Sequence, residues 1–253
     1  MYNLIRAELF KLRKDRSFRV LLLTIAALSL AYPLLYYFDN MSNGDPQITG
    51  AEFLLNFITG NAYVIKFGVA ALAGFFISNE YSTGVMKTVA SSGNDRGRLF
   101  VAKVIGFAVG AMAISLVFPI VSTIEVSVLA GFGQLPEGID TFFIPRVLGL
   151  TLLYASGYAA VGAMFTTVLT DSGKTIGFSM IYFLMIDSIM TGLGEYVPLF
   201  TTLYDYSIFK LLGNISKTNI DNGDLPALLL VPLLTIFISG LLGILVYRRK
   251  EIK

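Results

Sequence analysis

The stretch that decides the architecture reads NEYSTGVMKTVASSGNDRGRLFVAK and runs from Asn79 to Lys103, between two long apolar segments. It is polar and mostly basic, and glycines interrupt it. A connection of this length exceeds what a turn needs, and connections longer than about 12 residues are usually functional or disordered. Glu80 to Val89 lacks proline and is predicted to form one short helix. Asp95 is predicted to cap a further helix that enters the next apolar segment.

Spacing alone leaves two interpretations of this basic connection (Asn79–Lys103) open. In the first, it is a solvated cytoplasmic loop whose Lys and Arg residues only fix the topology, since cytoplasmic loops of membrane proteins carry an excess of Lys and Arg. In the second, it is a functional element that another protein contacts. Both interpretations place the connection on the cytoplasmic side of a membrane.

The composition is that of a membrane protein. Hydrophobic residues make up 55% of the chain and charged residues only 14%, whereas soluble proteins have roughly 25% charged residues. The apolar segments are spread along the whole length, so residues 1–253 are predicted to form a single transmembrane domain.

Missing residue types exclude several classes of function. The chain has no cysteine and no histidine, which excludes disulfides, thiolate metal sites and histidine-based hydrolysis. We therefore predict no catalytic residues, no metal site and no enzymatic activity. The net charge is only +2, so nothing favours a nucleic-acid partner.

The predicted fold is all-α, with six transmembrane helices, because an apolar segment of roughly 20 residues is long enough to cross a bilayer. The predicted spans lie at about residues 18–38, 62–78, 104–130, 147–169, 176–192 and 225–247. Residues 1–17 carry Ile5, Leu9 and Leu12 at helical spacing among basic residues, which predicts an amphipathic helix in the headgroup region. Residues 193–224 are predicted to form an amphipathic segment on the outer side.

The charge distribution predicts that both termini lie in the cytoplasm. With that orientation, the 19 Lys and Arg residues all fall on the cytoplasmic side except Lys66, Arg146, Lys210 and Lys217. Such a bias is what sets the orientation of multi-pass proteins in the membrane. Whatever the function, the lipid bilayer is therefore a predicted partner of this chain.

Two charged residues are predicted to lie inside spans, at the same depth in the outer leaflet: Lys66 in the second span and Asp187 in the fifth. A charge at the membrane centre costs roughly 2.5–3.5 kcal/mol, so both should face protein or water. One interpretation is a Lys66–Asp187 pair that closes an outer gate. The other is that Lys66 extends to the headgroups and Asp187 lies in an aqueous vestibule. Gly106 and Gly110 form a GxxxG spacing and are candidates for close helix packing.

The sequence resembles the type-2 permease family of ABC transporters, which forms the membrane half of bacterial exporters. The resemblance lies in three places along the chain. They are the start at Ile5–Leu12 with Glu8 three residues before Lys11, the pattern Glu80, Gly84, Lys87, Arg96 and Ala102-Lys103, and the end at Tyr247–Ile252. One departure is that Thr83 precedes Gly84 and Val85 follows it, whereas the family often has Thr after this glycine.

The resemblance implies that the basic connection contains a coupling helix, which docks in a groove of a separate ABC ATPase subunit. The residues that it assigns to this contact are Glu80, Tyr81, Gly84, Val85, Met86 and Lys87. Among them, Tyr81, Val85 and Met86 are expected to fill an apolar cleft, and Gly84 to permit close approach. ATP and Mg²⁺ are expected on the ATPase, with no cofactor in this chain. A second permease copy is expected to complete a homo- or heterodimer in the bacterial plasma membrane.

The predicted function is therefore that of a permease subunit of an ATP-driven exporter. By analogy with the family, the substrate is expected to be amphipathic, such as an antimicrobial peptide or a peptide-like antibiotic. The alternative is an ion-coupled secondary transporter or channel that works through Lys66, Glu125 and Asp187. Against this alternative, the sequence shows no inverted-repeat symmetry, which many secondary transporters have.

Overall fold

The structure is a computed structural model that describes residues 1–91, 93–135, 139, 142–218 and 223–250. Of the terminal motif, Glu251 and Ile252 lie outside the described residues. In the described part the regular secondary structure is entirely helical. The helices are α1 (Tyr2–Lys14), α2 (Arg16–Asn43), α3 (Gly50–Asn56), α4 (Ile58–Leu72), α5 (Asn79–Ser82), α6 (Val85–Ala90), α7 (Arg96–Ala130), α8 (Phe143–Val168), α9 (Ser172–Tyr196), α10 (Pro198–Asp205), α11 (Ile208–Leu211) and α12 (Asp224–Arg249). A π-helical segment (Ala73–Ser78) joins α4 to α5, and a 3₁₀ turn (Leu212–Asn214) follows α11.

Six helical stretches of the described chain are long and apolar enough to cross a membrane, which confirms the predicted all-α fold and the number of spans. They are Arg16–Asn43, Ile58–Ser82, Arg96–Ala130, Phe143–Val168, Ser172–Tyr196 and Asp224–Arg249. Most extend past the predicted ends because polar caps, rather than hydropathy, set where a helix begins. Asp15, Asp95 and Asp171 each accept a hydrogen bond from a backbone N–H three residues further on.

Both ends of the described chain lie at the same end of the helix bundle, since Glu8 of α1 also contacts Lys103 near the start of α7. Arg96, at the start of α7, donates a hydrogen bond to the backbone carbonyl of Lys250 at 2.8 Å. The side chain of Lys250 in turn bonds the carbonyl of Thr167 at the end of α8. We call this end the terminal face and the opposite end the far face.

The centre of the bundle is α8, and the periphery is formed by α2, α9 and α12. In the most apolar part of α8 72% of the residues are buried, against 11% in α9 and 17% in α12. Small side chains between Ala155 and Ala163 let neighbouring helices approach α8 closely. The exposed side chains of α2, α9 and α12 are largely apolar, so these helices present surfaces suited to lipid or to another membrane subunit.

The predicted packing glycines lie where α1 meets α7. A Cβ atom on Gly106 would lie 3.0 Å from the Cβ of Glu8, and one on Gly110 would lie 2.8 Å from Leu72 and 3.1 Å from Leu12. Leu12 is accordingly buried. The amphipathic helix α1 therefore packs onto the bundle along a groove that these glycines leave, and does more than rest in the headgroup region.

Candidate functional site: a buried charge cluster beneath the basic connection

Four charged side chains from three helices meet at the terminal face. Lys103 of α7 donates to Glu8 Oε1 at 3.0 Å and also bonds Glu80 of α5. Lys11 of α1 lies 2.6 Å from Glu8 Oε2 and also bonds Glu80. Each carboxylate thus contacts both ammonium groups, and the two positive and two negative charges balance. We call this group the terminal-face cluster (Glu8, Lys11, Glu80, Lys103).

The terminal-face cluster is largely shielded from solvent. The side chain of Lys103 is 2% exposed and that of Glu80 is 10% exposed, while Lys11 is 41% exposed and closes the outer side. Removing one member of such a buried group leaves an uncompensated charge, at a typical cost of about 3–5 kcal/mol. The cluster therefore fixes α1, α5 and the start of α7 to one another.

The six residues assigned to the partner contact fall into two groups. Gly84, Val85 and Lys87 are exposed on the basic connection, whereas Tyr81 is half-buried. Glu80 is held in the terminal-face cluster, and Met86 is 1% exposed. α6 turns Met86 inward, whereas the sequence predicted that Met86 fills a cleft on a partner, and that contact stays a prediction.

Met86 faces the end of α12. The hydroxyl of the fully buried Tyr247 donates to Met86 Sδ at 3.2 Å, and its ring lies 5.7 Å from that of Phe100. Next to it, Arg248 lies 3.5 Å from Asp95, whose pKa is lowered mainly by the backbone N–H of Arg98 that it accepts. The aromatic-plus-basic end of the chain therefore holds α6 and the start of α7 in place.

Gly84 has a backbone requirement of its own. Its φ of 74° lies in the left-handed region, and it forms the N-terminal boundary of α6. No other atom lies within 4 Å of where its Cβ would be. Glycine is therefore required here by the turn between α5 and α6, and the space beside it is free for a partner.

Lys66 and Asp187 meet near the far face. Lys66 Nζ donates to Asp187 Oδ2 at 2.6 Å, and the hydroxyl of Tyr204 donates to Asp187 Oδ1 at 3.2 Å. Lys66 is only 8% exposed, and its ammonium group lies against the Asp187 carboxylate. Glu125 has no hydrogen bond or ion pair with this group in the part of the chain described.

Sequence reasoning did not assign Lys103, Tyr204 or Tyr247 to a site. The signal for Lys103 is only its position directly before the third predicted span, where a lysine that the protein covers needs a counter-charge. Tyr204 and Tyr247 give no comparable signal, since tyrosines at span ends are common anchors at the membrane interface.

One comparison with known proteins identifies the family. A family model described as ABC-2 family transporter protein matches residues 4–194, which include the whole terminal-face cluster and the Lys66–Asp187 pair. No match is found among curated proteins. The match covers well over half of the chain, and the chain therefore belongs to the ABC-2 family of transporter proteins.

Proposed function

We propose that this membrane permease subunit exports an amphipathic substrate and is driven by ATP hydrolysis in a separate ATPase subunit, which docks on the terminal face. The observation that carries the proposal is the terminal-face cluster. Its Glu80–Lys103 ion pair connects the exposed α5–α6 turn to the first turns of the 35-residue helix α7. A push on α6 therefore moves α1, α5 and α7 together.

The surface offered to the ATPase is small and exposed. Val85 is 45% exposed, and Gly84 and Lys87 beside it are exposed as well. Tyr247 contacts Met86 on the buried side of α6. A short helix that is backed by a fully buried side chain transmits displacement instead of absorbing it, because packed interiors have few voids and low compressibility.

The Lys66–Asp187 pair near the far face is the proposed gate, which opens in response to this movement. Lys66 and Glu80 lie on one continuous helical stretch, Ile58–Ser82, about 21 Å apart along its axis. Movement of Glu80 therefore reaches Lys66 without an intervening loop. Asp187 belongs to α9 and Tyr204 to α10, so a displacement of Lys66 separates it from groups on other helices.

The proposal includes four further assignments. We place both termini and the basic connection in the cytoplasm, ATP and Mg²⁺ on the ATPase, and the protein in a bacterial plasma membrane. A second permease copy, identical or related, completes the pathway against the exposed apolar faces. The alternative of an ion-coupled transporter has no support from the described contacts, since Lys66 and Asp187 neutralise one another and Glu125 is not joined to them.

The test is recovery of the ATPase with the tagged full-length chain from its native membranes. We expect an ATP-hydrolysing subunit to be retained by the native chain and lost on Val85→Asp or Lys87→Glu. Lys174→Glu is the matched control, because Lys174 is exposed at the start of α9 on the terminal face but outside the basic connection. Absence of any ATPase from the native preparation, or equal retention in all variants, contradicts the proposal.

A further inference from the structure

A deep apolar groove opens on the side of the bundle between α2, α3, α4 and α7. Its volume is about 1000 Å³, which is at the upper end for a ligand site. It follows α2 from Leu21 to Tyr37, a length of about 24 Å at helical rise. Its walls are apolar, with Leu28, Phe67 and Phe118 among the lining residues. We call it the lateral groove.

The shape of the lateral groove follows from small residues on α4. Gly60, Gly68 and Ala71 lie along its floor. A Cβ atom on Gly60 would lie 2.9 Å from the ring of Phe118, so a larger residue there would displace this lining side chain. Tyr63 and Phe67 also line the groove and are 53% and 42% exposed.

The far-face end of the lateral groove is polar and carries one kind of charge. Among the described residues that line the groove, Glu52 is the only charged one, and Gln47 and Asn56 line the same end. The other distinctive feature of this end is a set of tyrosines from α2 and α4. They are Tyr32, Tyr36, Tyr37 and Tyr63.

The Glu52 carboxylate is held in position by the start of α3. Its Oε2 accepts the backbone N–H of Thr49 at 2.9 Å, and the Thr49 hydroxyl caps the N–H of Glu52 in return. This capping box fixes the side chain from the N-terminal side. Glu52 is nevertheless exposed, so a ligand can reach it.

We propose that the lateral groove binds a cationic amphiphile. Its apolar body lies along α2 and α4, and its cationic head lies against Glu52 and the faces of the surrounding tyrosines. Tyrosine rings attract ammonium groups through their negative faces, as quaternary ammonium sites show. An anionic head would meet a carboxylate and, among the described lining residues, no cation. The inference rests on the proposed transport function, for which it names the substrate class and the entry site within one subunit.

The test measures binding and needs neither ATP nor the ATPase. A spin-labelled alkyltrimethylammonium and a spin-labelled alkyl sulfate of the same chain length are added separately to the full chain in neutral maltoside micelles. The fraction immobilised by protein is read by electron paramagnetic resonance. We expect the native chain to prefer the cationic probe, and Glu52→Gln to bind it about fivefold more weakly, as removal of a charge near 4 Å in a wet site predicts.

Two further variants separate the groove from the rest of the surface. The Glu52→Gln variant keeps the capping box, because glutamine can replace glutamate in it. Glu195→Gln is the control: it removes an exposed carboxylate from the end of α9 and should leave the preference for the cationic probe unchanged. Thr59→Phe, at an exposed lining position, should reduce binding of the cationic probe by filling the groove. Equal binding of both probes by the native chain, or an unchanged preference in Glu52→Gln, overturns the inference. Either result leaves the ATPase-recovery test of the proposed function unaffected.

Discussion

Lys66 and Asp187 are 121 positions apart in the sequence and meet at 2.6 Å. They come from helices that run in opposite directions, and Tyr204 engages the second carboxylate oxygen of Asp187. The contact joins α4 to α9 and holds α10 across the far face. We propose that these three residues open or close that end of the bundle together.

We expect Lys66→Met and Asp187→Asn each to loosen the far face, and the double variant to add little to either. Each single change breaks the same ion pair, so the effects of coupled partners are not additive. The chain has no cysteine, so Ser179→Cys, a buried position deeper on α9, can report opening. The measurement is its rate of labelling by a membrane-impermeant thiol reagent, which should rise severalfold.

The control for the far-face pair is Lys217→Met, which removes an exposed lysine near the same face. It should leave the labelling rate of the reporter unchanged. Additive increases from the two single variants would show that Lys66 and Asp187 act independently and would rule out a shared gate.

The terminal-face cluster should be the most sensitive ionic site in the described chain. Lys103→Met leaves Glu8 and Glu80 facing each other at a buried position, and we expect a loss of about 3–5 kcal/mol in unfolding free energy. Adding Glu80→Gln to Lys103→Met should recover part of that loss, because it removes the one excess negative charge and leaves Glu8 paired with Lys11. Stability is measured by denaturant titration in mixed micelles, with Lys174→Met as the exposed control. A loss no larger than that of the control would mean that the cluster is not buried in the membrane-embedded protein.

The sequence predicts that Lys66 and Asp187 lie at the same depth, because this depends only on helix rise and on spans that alternate in direction. The inward orientation of Glu80, in contrast, could not be predicted from the sequence. The π-helical segment Ala73–Ser78 interrupts the 3.6-residue period just before it, so the face on which Glu80 lies cannot be extrapolated from α4. The contact of Glu80 with Lys11 also depends on α1 docking against α7 at Gly106 and Gly110. The amphipathic pattern of α1 is equally compatible with a helix in the headgroups.

Tyr247 should position α6 through packing more than through its hydrogen bond. Tyr247→Ala removes a fully buried ring beside Phe100 and Met86, and we expect a loss of about 3–5 kcal/mol, as for other buried aromatic residues. Tyr247→Phe removes only the hydroxyl and should cost about 1 kcal/mol. Limited proteolysis within the basic connection measures the effect, and it should accelerate strongly only in the alanine variant. The exposed Tyr196→Ala is the control, and equal proteolysis of Tyr247→Ala and this control would show that α12 does not support α6.

Gly84 should be required because position 84 has a positive φ, and not because a larger side chain would clash with other atoms of this chain. At a φ of 74°, an alanine costs about 1–2 kcal/mol, although no atom obstructs its Cβ. We therefore expect Gly84→Ala to weaken retention of the ATPase about tenfold while the six-span fold is kept. Gly84→Asn should lose less, because asparagine tolerates the left-handed region. Gly213→Ala, at an equally open glycine without positive φ, should have no effect. If Ala and Asn at position 84 weakened retention equally, steric contact with the partner, and not the turn, would be the reason for glycine.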